Sequence, residues 1–219
     1  MITEKLASIQ NEIQLKIKKC EDINYTPNII AVSKTFPIKH ITPLINHGHL
    51  HFGENKVQEA LDKWTDIKKE NEKINLHMIG KLQTNKVKYV VELFDYIHSL
   101  DNKKLAEKIS SEQVKKNKNL KIFIQVNIGN ELQKSGISID DLPNFYDYCI
   151  NILKLNIIGL MCIPPKNINN RIFFDKMKKI KNLINVKELS MGMSDDYLDA
   201  VEFGSTYLRI GSKIFGPRD

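Results

Sequence analysis

The 219 residues, 42% of them hydrophobic and 27% charged, have the composition of an ordinary globular protein with enough apolar side chains for one sizeable core. No apolar run approaches the roughly 18 residues of a membrane-spanning helix, and charges interrupt the apolar positions near the N-terminus, so we expect a cytoplasmic protein without a signal peptide. The net charge of +7 invites a nucleic-acid partner, but only three of the 33 basic residues are arginine, the residue such surfaces favour, and we therefore expect none.

Short runs rich in β-branched residues alternate with amphipathic stretches along the whole chain. Apolar residues at helical spacing predict a first helix over residues 1–20. Eight strands are predicted after it, at residues 29–33, 49–53, 74–79, 96–100, 121–128, 157–163, 186–191 and 206–210. Helical patterns separate these strands, which predicts an α/β protein, a single (β/α)8 TIM barrel domain over residues 1–219 preceded by an N-terminal helix. An open doubly wound sheet is the alternative, but no G-x-G-x-x-G follows the first strand.

Lys34 directly follows the first predicted strand. Because binding groups of a barrel collect at the carboxyl ends of its strands, this lysine is expected at the barrel mouth. Partial burial there would lower its pKa from about 10.4 and provide the neutral amine that forms a Schiff base with a carbonyl. Taken alone, Lys34 is one of thirty lysines, and the interpretation that it merely ends a strand would be preferred.

The last two predicted strands end in segments that contain glycine, at residues 190–195 and 209–212. Glycines there allow backbone N–H groups to approach a phosphate, and a short helix after each strand would direct its N-terminus at the anion. The hydroxyls of Ser194 and Ser212 would add donors. The alternative for Ser194 is a plain N-cap of a helix over residues 194–203, which Asp195 and Asp196 in the first turn would support. The same two aspartates would repel an anion placed too close.

Histidines and cysteines are weighed as possible metal ligands. His47, His49 and His51 form an H-x-H-x-H string, which on a barrel strand can bind a catalytic metal. No convincing set of further ligands can be assembled at other strand ends, so no metal site is predicted, and His77 is interpreted as a structural histidine. The three cysteines are scattered and form no C-x-x-C pair, which argues against zinc and against disulfides.

Seven groups of short motifs stand in a fixed order between residues 29 and 216. They are Ala31-Val-Ser-Lys-Thr35, Phe52-Gly-Glu-Asn-Lys56 with Gln58-Glu59, His77-Met-Ile-Gly-Lys-Leu-Gln83 with Asn85-Lys86, Lys134-Ser-Gly136, Gly159-Leu-Met161, Leu189-Ser-Met-Gly-Met-Ser-Asp-Asp196, and Arg209-Ile-Gly-Ser212 with Ile214-Phe-Gly216. In this combination they resemble the pyridoxal phosphate homeostasis protein family. That family is similar in fold to the barrel domain of bacterial alanine racemase and carries pyridoxal 5′-phosphate (PLP) without an established catalytic reaction.

The resemblance implies a role for particular residues of this chain. Lys34 is implied as the lysine that holds PLP as a Schiff base, and Arg209 as the partner of the pyridine nitrogen. Asn55 would lie near the ring, and Lys134 is suggested as a secondary acceptor in PLP transfer. Three further residues are implied as phosphate contacts: Ser194, Gly211 and Ser212.

The expected function is therefore PLP binding in intracellular PLP homeostasis, without catalytic turnover. A permanently charged guanidinium at position 209 would disfavour protonation of the ring nitrogen and weaken the cofactor as an electron sink, which suits holding PLP, or a demanding racemisation, better than transamination. PLP-dependent apo-enzymes are the expected recipients, no membrane partner is expected, and the protein is expected to be a monomer. The alternative is a PLP-dependent amino-acid racemase. Alanine racemase needs a second, β-rich domain and a tyrosine base from across a dimer, and we expect no such domain in the few residues after Gly216.

Overall fold

Eight parallel strands close into a barrel in the computed structural model, which describes residues 1–20, 23–131, 133–165 and 168–217. Each strand pairs with the next along the chain, and the last pairs with the first. The strands are β1 Asn28–Val32, β2 His51–Glu54, β3 Asn75–Met78, β4 Tyr96–Leu100, β5 Lys121–Val126, β6 Ile157–Cys162, β7 Glu188–Ser190 and β8 Tyr207–Ile210. The predicted (β/α)8 barrel is confirmed.

Helices surround the barrel and connect its strands. They are α1 Ile2–Lys18, α2 Ile38–Asn46, α3 Val57–Glu70, α4 Val87–Leu93, α5 Lys103–Lys116, α6 Leu142–Asp147, α7 Asn170–Leu183, α8 Tyr197–Glu202 and α9 Ser212–Phe215. Among the residues described, no helix combines the length and the apolar character needed to cross a bilayer.

Successive side chains of each strand point to opposite faces of the barrel wall, so the buried side chains form two layers. In β5, Ile122 and Ile124 pack in the layer between barrel and helices, whereas Phe123 between them faces the barrel interior. The interior cluster consists of Ile30, Tyr96, Phe123, Met161 and Tyr207. Because these large side chains fill the axis, the barrel is a packed core, and ligand access is confined to its ends.

The predicted N-terminal helix is confirmed as α1, which packs against α2, α8 and α9. Its apolar face buries Leu6, Ile9 and Ile13. On its polar face, the Glu12 carboxylate accepts hydrogen bonds from the Tyr197 hydroxyl at 2.5 Å and the Lys213 ammonium at 2.9 Å. These contacts tie α1 to the two short helices that follow β7 and β8, the strands predicted to carry the phosphate contacts.

Candidate functional site

A cavity of about 580 Å³ opens at the carboxyl ends of the strands. The six residues predicted to bind the cofactor all line it: Lys34, Asn55, Ser194, Arg209, Gly211 and Ser212. Strand register explains why residues so far apart in sequence meet here. Ala31 pairs with Ile210, so the residues that follow β1 and β8 leave the barrel side by side at the same rim.

Lys34 is half-buried and stands in the turn that follows β1. The next residue, Thr35, has a left-handed backbone with φ of +69°, which is rare for a β-branched residue. Its backbone N–H donates to the Glu59 carboxylate at 2.5 Å, and this contact holds the turn against α3. The sharp turn lets Lys34 line the cavity while the chain moves away from it. The lowered pKa expected for Lys34 stays a prediction.

A buried cluster that the sequence analysis missed holds the residue before Lys34; we call it the Glu54 network. The Glu54 carboxylate accepts three hydrogen bonds on Oε1, from the Ser33 hydroxyl at 2.8 Å, the Lys63 ammonium at 2.9 Å and the Trp64 indole at 3.0 Å. The Lys63 ammonium also donates to the Ser33 carbonyl at 3.0 Å. Ser33 is thus held by its side chain and by its backbone. The only signals of this cluster in the sequence are the Gly-Glu-Asn motif and the single tryptophan, Trp64.

Arg209 lies in β8 and is only 5% exposed. Its Nη1 donates to the Ser190 carbonyl at 2.6 Å and the Ser190 hydroxyl at 2.7 Å, and its Nη2 donates to the Cys162 carbonyl at 2.8 Å. Burial lowers the pKa of Arg209 from its ordinary value, but a guanidinium remains a cation in proteins. These bonds use three of its five N–H groups and fix the cation between β6 and β7 at the cavity wall.

The structure corrects the alternative interpretation of Ser194 as an N-cap. Helix α8 begins only at Tyr197, and Asp196 occupies its N-cap position. The Ser194 hydroxyl instead accepts hydrogen bonds from the backbone N–H groups of Gly211 and Lys213, both at 3.3 Å. Ser194 therefore joins the loop after β7 to the start of α9, which brings the three predicted phosphate contacts together.

The two aspartates that follow Ser194 have different surroundings. Asp196 accepts hydrogen bonds from the backbone N–H of Met193 at 2.6 Å and from the Asn170 amide at 2.5 Å, so its carboxylate is engaged within the loop. Asp195 is exposed and lines the cavity. One negative charge therefore stands at the rim, where it would oppose an anion that binds beside it.

Asn55 and Gly80 meet closely where β2 and β3 end. A Cβ on Gly80 would lie 2.3 Å from the Asn55 carbonyl oxygen and 2.7 Å from its Cα, so only glycine permits this approach. The Asn55 side-chain Oδ1 is buried, and no described residue donates a hydrogen bond to it. A buried acceptor without a donor beside a cavity is a place where a bound ligand can supply the missing bond.

Two further lysines line the same cavity. Lys134 donates to the Pro164 carbonyl at 3.3 Å and pairs with the Glu131 carboxylate at 2.5 Å. Its suggested role in PLP transfer stays a prediction. Lys81 was not among the predicted residues, although its place directly after Gly80 at the end of β3 was the available signal. Together with Lys34 and Arg209, these residues make the cavity basic, which suits an anionic ligand.

The histidine string lies at the other end of the barrel. His47, His49 and His51 line a separate cavity of about 490 Å³ at the amino ends of the strands. Within the described ranges, no three His, Cys, Asp or Glu side chains are grouped so that they could hold a metal ion. His77 is fully buried in the barrel interior, where its ring stacks on Tyr96 with the centroids 4.1 Å apart.

Sequence comparisons find relatives along the whole chain. The family model of the alanine racemase N-terminal domain matches residues 6–219. The pyridoxal phosphate homeostasis protein of Pasteurella multocida is 35% identical, and the match covers 100% of this chain and 98% of that protein. The protein of the same name from Aquifex aeolicus is 36% identical over 98% of this chain and 97% of its own length.

Solved structures give the same result. PipY of Synechococcus elongatus is 31% identical, and the match covers 99% of this chain and 100% of the PipY chain. The TM-score is 0.87 for the PipY structure without PLP and 0.85 for the structure with PLP bound. Alanine racemase of Clostridium difficile is only 9% identical and has a TM-score of 0.73, with 56% of its chain covered. The racemase similarity therefore concerns the fold alone.

Proposed function

This chain belongs to the pyridoxal phosphate homeostasis protein family, and from that premise we propose that it binds PLP at the carboxyl ends of its strands, as a Schiff base on Lys34. One observation carries the proposal: a relative of the same length and fold has been solved with PLP bound, and six residues expected to bind it surround one cavity here. The cavity volume of about 580 Å³ lies within the usual range for cofactor sites.

The residues present fit the chemical groups of the cofactor. PLP supplies two groups, an aldehyde and a phosphate. The aldehyde can condense with an amine, with release of water. The half-buried Lys34 presents the amine, in a turn held by the Glu54 network. Arg209 presents guanidinium donors that suit a pyridine nitrogen, and the buried Oδ1 of Asn55 lacks a donor that a ligand hydroxyl could provide.

The phosphate is proposed to bind between the loop after β7 and the start of α9. There the hydroxyls of Ser194 and Ser212 and the backbone N–H of Gly211 lie together. The two bonds that Ser194 accepts are long, at 3.3 Å, and bonds from the same N–H groups to a charged phosphate would be stronger. Asp195 at the rim opposes the anion, which favours reversible binding.

We further propose that the protein carries PLP rather than catalysing a reaction with it. Arg209 cannot take a proton from the ring nitrogen, and its own charge disfavours a protonated pyridine, so the cofactor is a weak electron sink. Such a protein would limit the free aldehyde in the cytoplasm and pass PLP to apo-enzymes, acting as a monomer built from one domain. The names of the relatives refer to PLP homeostasis, which agrees with this role.

The test is a PLP titration followed by absorption spectroscopy, with borohydride reduction and peptide mapping. We expect the parent protein to give a Schiff-base band and a reduced adduct on Lys34. Lys34→Arg retains the positive charge, so it should bind PLP only non-covalently and give no adduct. Lys39→Ala, at an exposed position of α2, should behave as the parent.

Two results would contradict the proposal. An equal adduct yield in Lys34→Arg would show that another amine is the acceptor. Conversion of L- to D-amino acids by the loaded protein, clearly faster than by free PLP, would favour the racemase alternative over a carrier.

A further inference from the structure

A continuous line of hydrogen bonds crosses the barrel interior from the PLP cavity to the opposite end. Arg209 Nη1 donates to the Ser190 hydroxyl at 2.7 Å, and that oxygen lies 2.9 Å from Nδ1 of His98. His98 Nε2 lies 2.9 Å from Nδ1 of His77, and His77 Nε2 lies 3.0 Å from Nδ1 of His51. We call these five residues the axial chain. Its members come from β8, β7, β4, β3 and β2.

The two inner rings of the axial chain are enclosed by aromatic side chains. His77 stacks on Tyr96, and His98 stacks on Phe123 with the centroids 4.3 Å apart. Both imidazoles are fully buried, and this burial lowers the pKa of each well below its usual value; the charge of Arg209 lowers that of His98 further. The two rings are therefore neutral, each with one N–H donor and one bare nitrogen acceptor.

Neutral rings in series can satisfy these contacts in only two ways. Each contact needs one donor and one acceptor, so all three imidazoles must carry hydrogen on the same nitrogen, either Nε2 or Nδ1. A change at one ring therefore requires a change at the next.

Ser190 selects between the two arrangements. Its oxygen accepts from Arg209, because a guanidinium can only donate, and accepting from a cation strengthens its own O–H as a donor. When that hydroxyl donates to Nδ1 of His98, every ring carries hydrogen on Nε2. In the opposite arrangement, Ser190 accepts two hydrogen bonds and its hydrogen must find another acceptor.

The far end of the axial chain reaches the second cavity. His51 is half-buried there and lines that cavity together with His47 and His49. Burial lowers the pKa of His51, Lys121 lowers it further and Asp95 opposes the shift. The rings of Tyr96 and Tyr207 both have centroids 6.3 Å from that of His51. A ligand or substitution at this end can thus act on the last acceptor of the chain.

We propose that the axial chain positions Arg209 in the PLP cavity and transmits changes at His51, on the opposite side of the barrel, to that cavity. The existence of the axial chain is inferred from the hydrogen-bond geometry, whereas its effect on PLP binding rests on the proposed function. Ser190, His98, His77 and His51 act here as positioning residues, since Arg209 is the member that lines the cavity.

The first test uses the protein without cofactor. Long-range ¹H–¹⁵N spectra of the imidazoles should show that His77, His98 and His51 are neutral and all carry hydrogen on Nε2. His51→Phe should change the nitrogen shifts of His98, two rings away, whereas His49→Phe should leave them unchanged. His49 is the matched control because it is half-buried at the same end, while the hydrogen bonds of its ring go to the backbone at His51 and Ile29 and not to another imidazole of the axial chain. Mixed tautomers in the parent, or an unchanged His98 in His51→Phe, would overturn the proposal.

The second test measures PLP affinity and the absorption band of the bound cofactor. Ser190→Ala removes the oxygen that links Arg209 to His98 and should weaken binding about tenfold, as expected for a lost hydrogen bond to a charged group, and shift the band. Ser99→Ala is the control, because its buried hydroxyl has no partner among the described residues.

The outcomes separate this inference from the proposed function. If the parent binds no PLP, the proposed function fails, whereas the imidazole spectra still decide whether the chain exists. If the parent binds PLP and Ser190→Ala matches Ser99→Ala in affinity and band position, the axial chain does not position Arg209 and the inference fails.

Discussion

Replacing Lys63 by methionine tests whether the Glu54 network supports both the fold and the site. The ion pair of Lys63 with Glu54 has an N–O distance of 2.9 Å, and the two side chains are 8% and 0% exposed. Removing one partner of a buried pair typically costs about 3–5 kcal/mol, because the other charge is left uncompensated. Glu54 keeps its hydrogen bonds from Ser33 and Trp64, so we expect a loss near 3 kcal/mol, at the lower end of that range.

Lys69→Met is the matched control on the same helix. Its ion pair with Asp66 has the same length, 2.9 Å, but the two side chains are 71% and 87% exposed. Water screens such pairs, so this substitution should leave stability unchanged within error. The helix, the residue type and the pair distance are the same, whereas burial and the number of partners differ, since Lys63 also donates to Ser33 and Glu59.

Urea and thermal unfolding provide the measurement. At roughly 2–4 °C per kcal/mol for a domain of this size, Lys63→Met should lower Tm by about 6–12 °C relative to the parent and to Lys69→Met. PLP affinity should fall as well, because the carbonyl of Ser33, next to Lys34, loses the Lys63 ammonium.

Equal stability of the two variants would refute the reasoning, since burial would then add nothing. In addition, Glu54→Leu combined with Lys63→Met should be less destabilised than the sum of the single changes, because the buried Glu54 charge is removed together with its partner.

Three further predictions follow from individual residues. Gly80→Ala should cost about 1–3 kcal/mol and weaken PLP binding, as its methyl would meet backbone of the neighbouring loop at 2.3 Å; both effects are measurable in the assays above, and parent-like binding would show that this contact is not needed. The pKa of Glu202 is lowered to about 2, mainly by a hydrogen bond from Arg171. The contribution of this carboxylate to stability is therefore complete above about pH 4.5 and disappears as the pH falls towards 2. Glu202→Gln should therefore have a lower Tm than the parent at neutral pH, with a difference that closes as the pH falls over this range; a constant difference would contradict the assignment. Burial raises the pKa of the Cys149 and Cys162 thiols to about 12, so a thiol reagent at pH 8 should label only half-buried Cys20 in the native protein and all three after denaturation.

Local pattern in the sequence was sufficient to predict the barrel and to place the candidate residues at one end of it. Strand and helix periods alternate eight times, and this order alone favours a closed parallel barrel, as observed. Such a barrel puts all carboxyl ends of its strands on one rim, so Lys34, Asn55 and Arg209 had to meet although they are far apart in sequence. Boundaries were less exact: the fifth strand ends at Val126 rather than 128, because the Asn127 N–H donates to the carbonyl of Ile137 instead of continuing the ladder.

Contacts between side chains of different elements were decided only by the tertiary structure. For Ser194 the sequence left an N-cap as the alternative to a phosphate contact, whereas its hydroxyl accepts hydrogen bonds from backbone N–H groups 17 and 19 residues later. The sequence indicated that His77 is a structural histidine, but it did not indicate that this ring would bond to a neighbouring imidazole or that Trp64 would donate to Glu54. A hydrogen bond requires a donor–acceptor distance that is correct to within roughly a few tenths of an ångström. Those distances are set when the barrel closes, whereas periodicity along the chain reports only which side of an element a residue occupies.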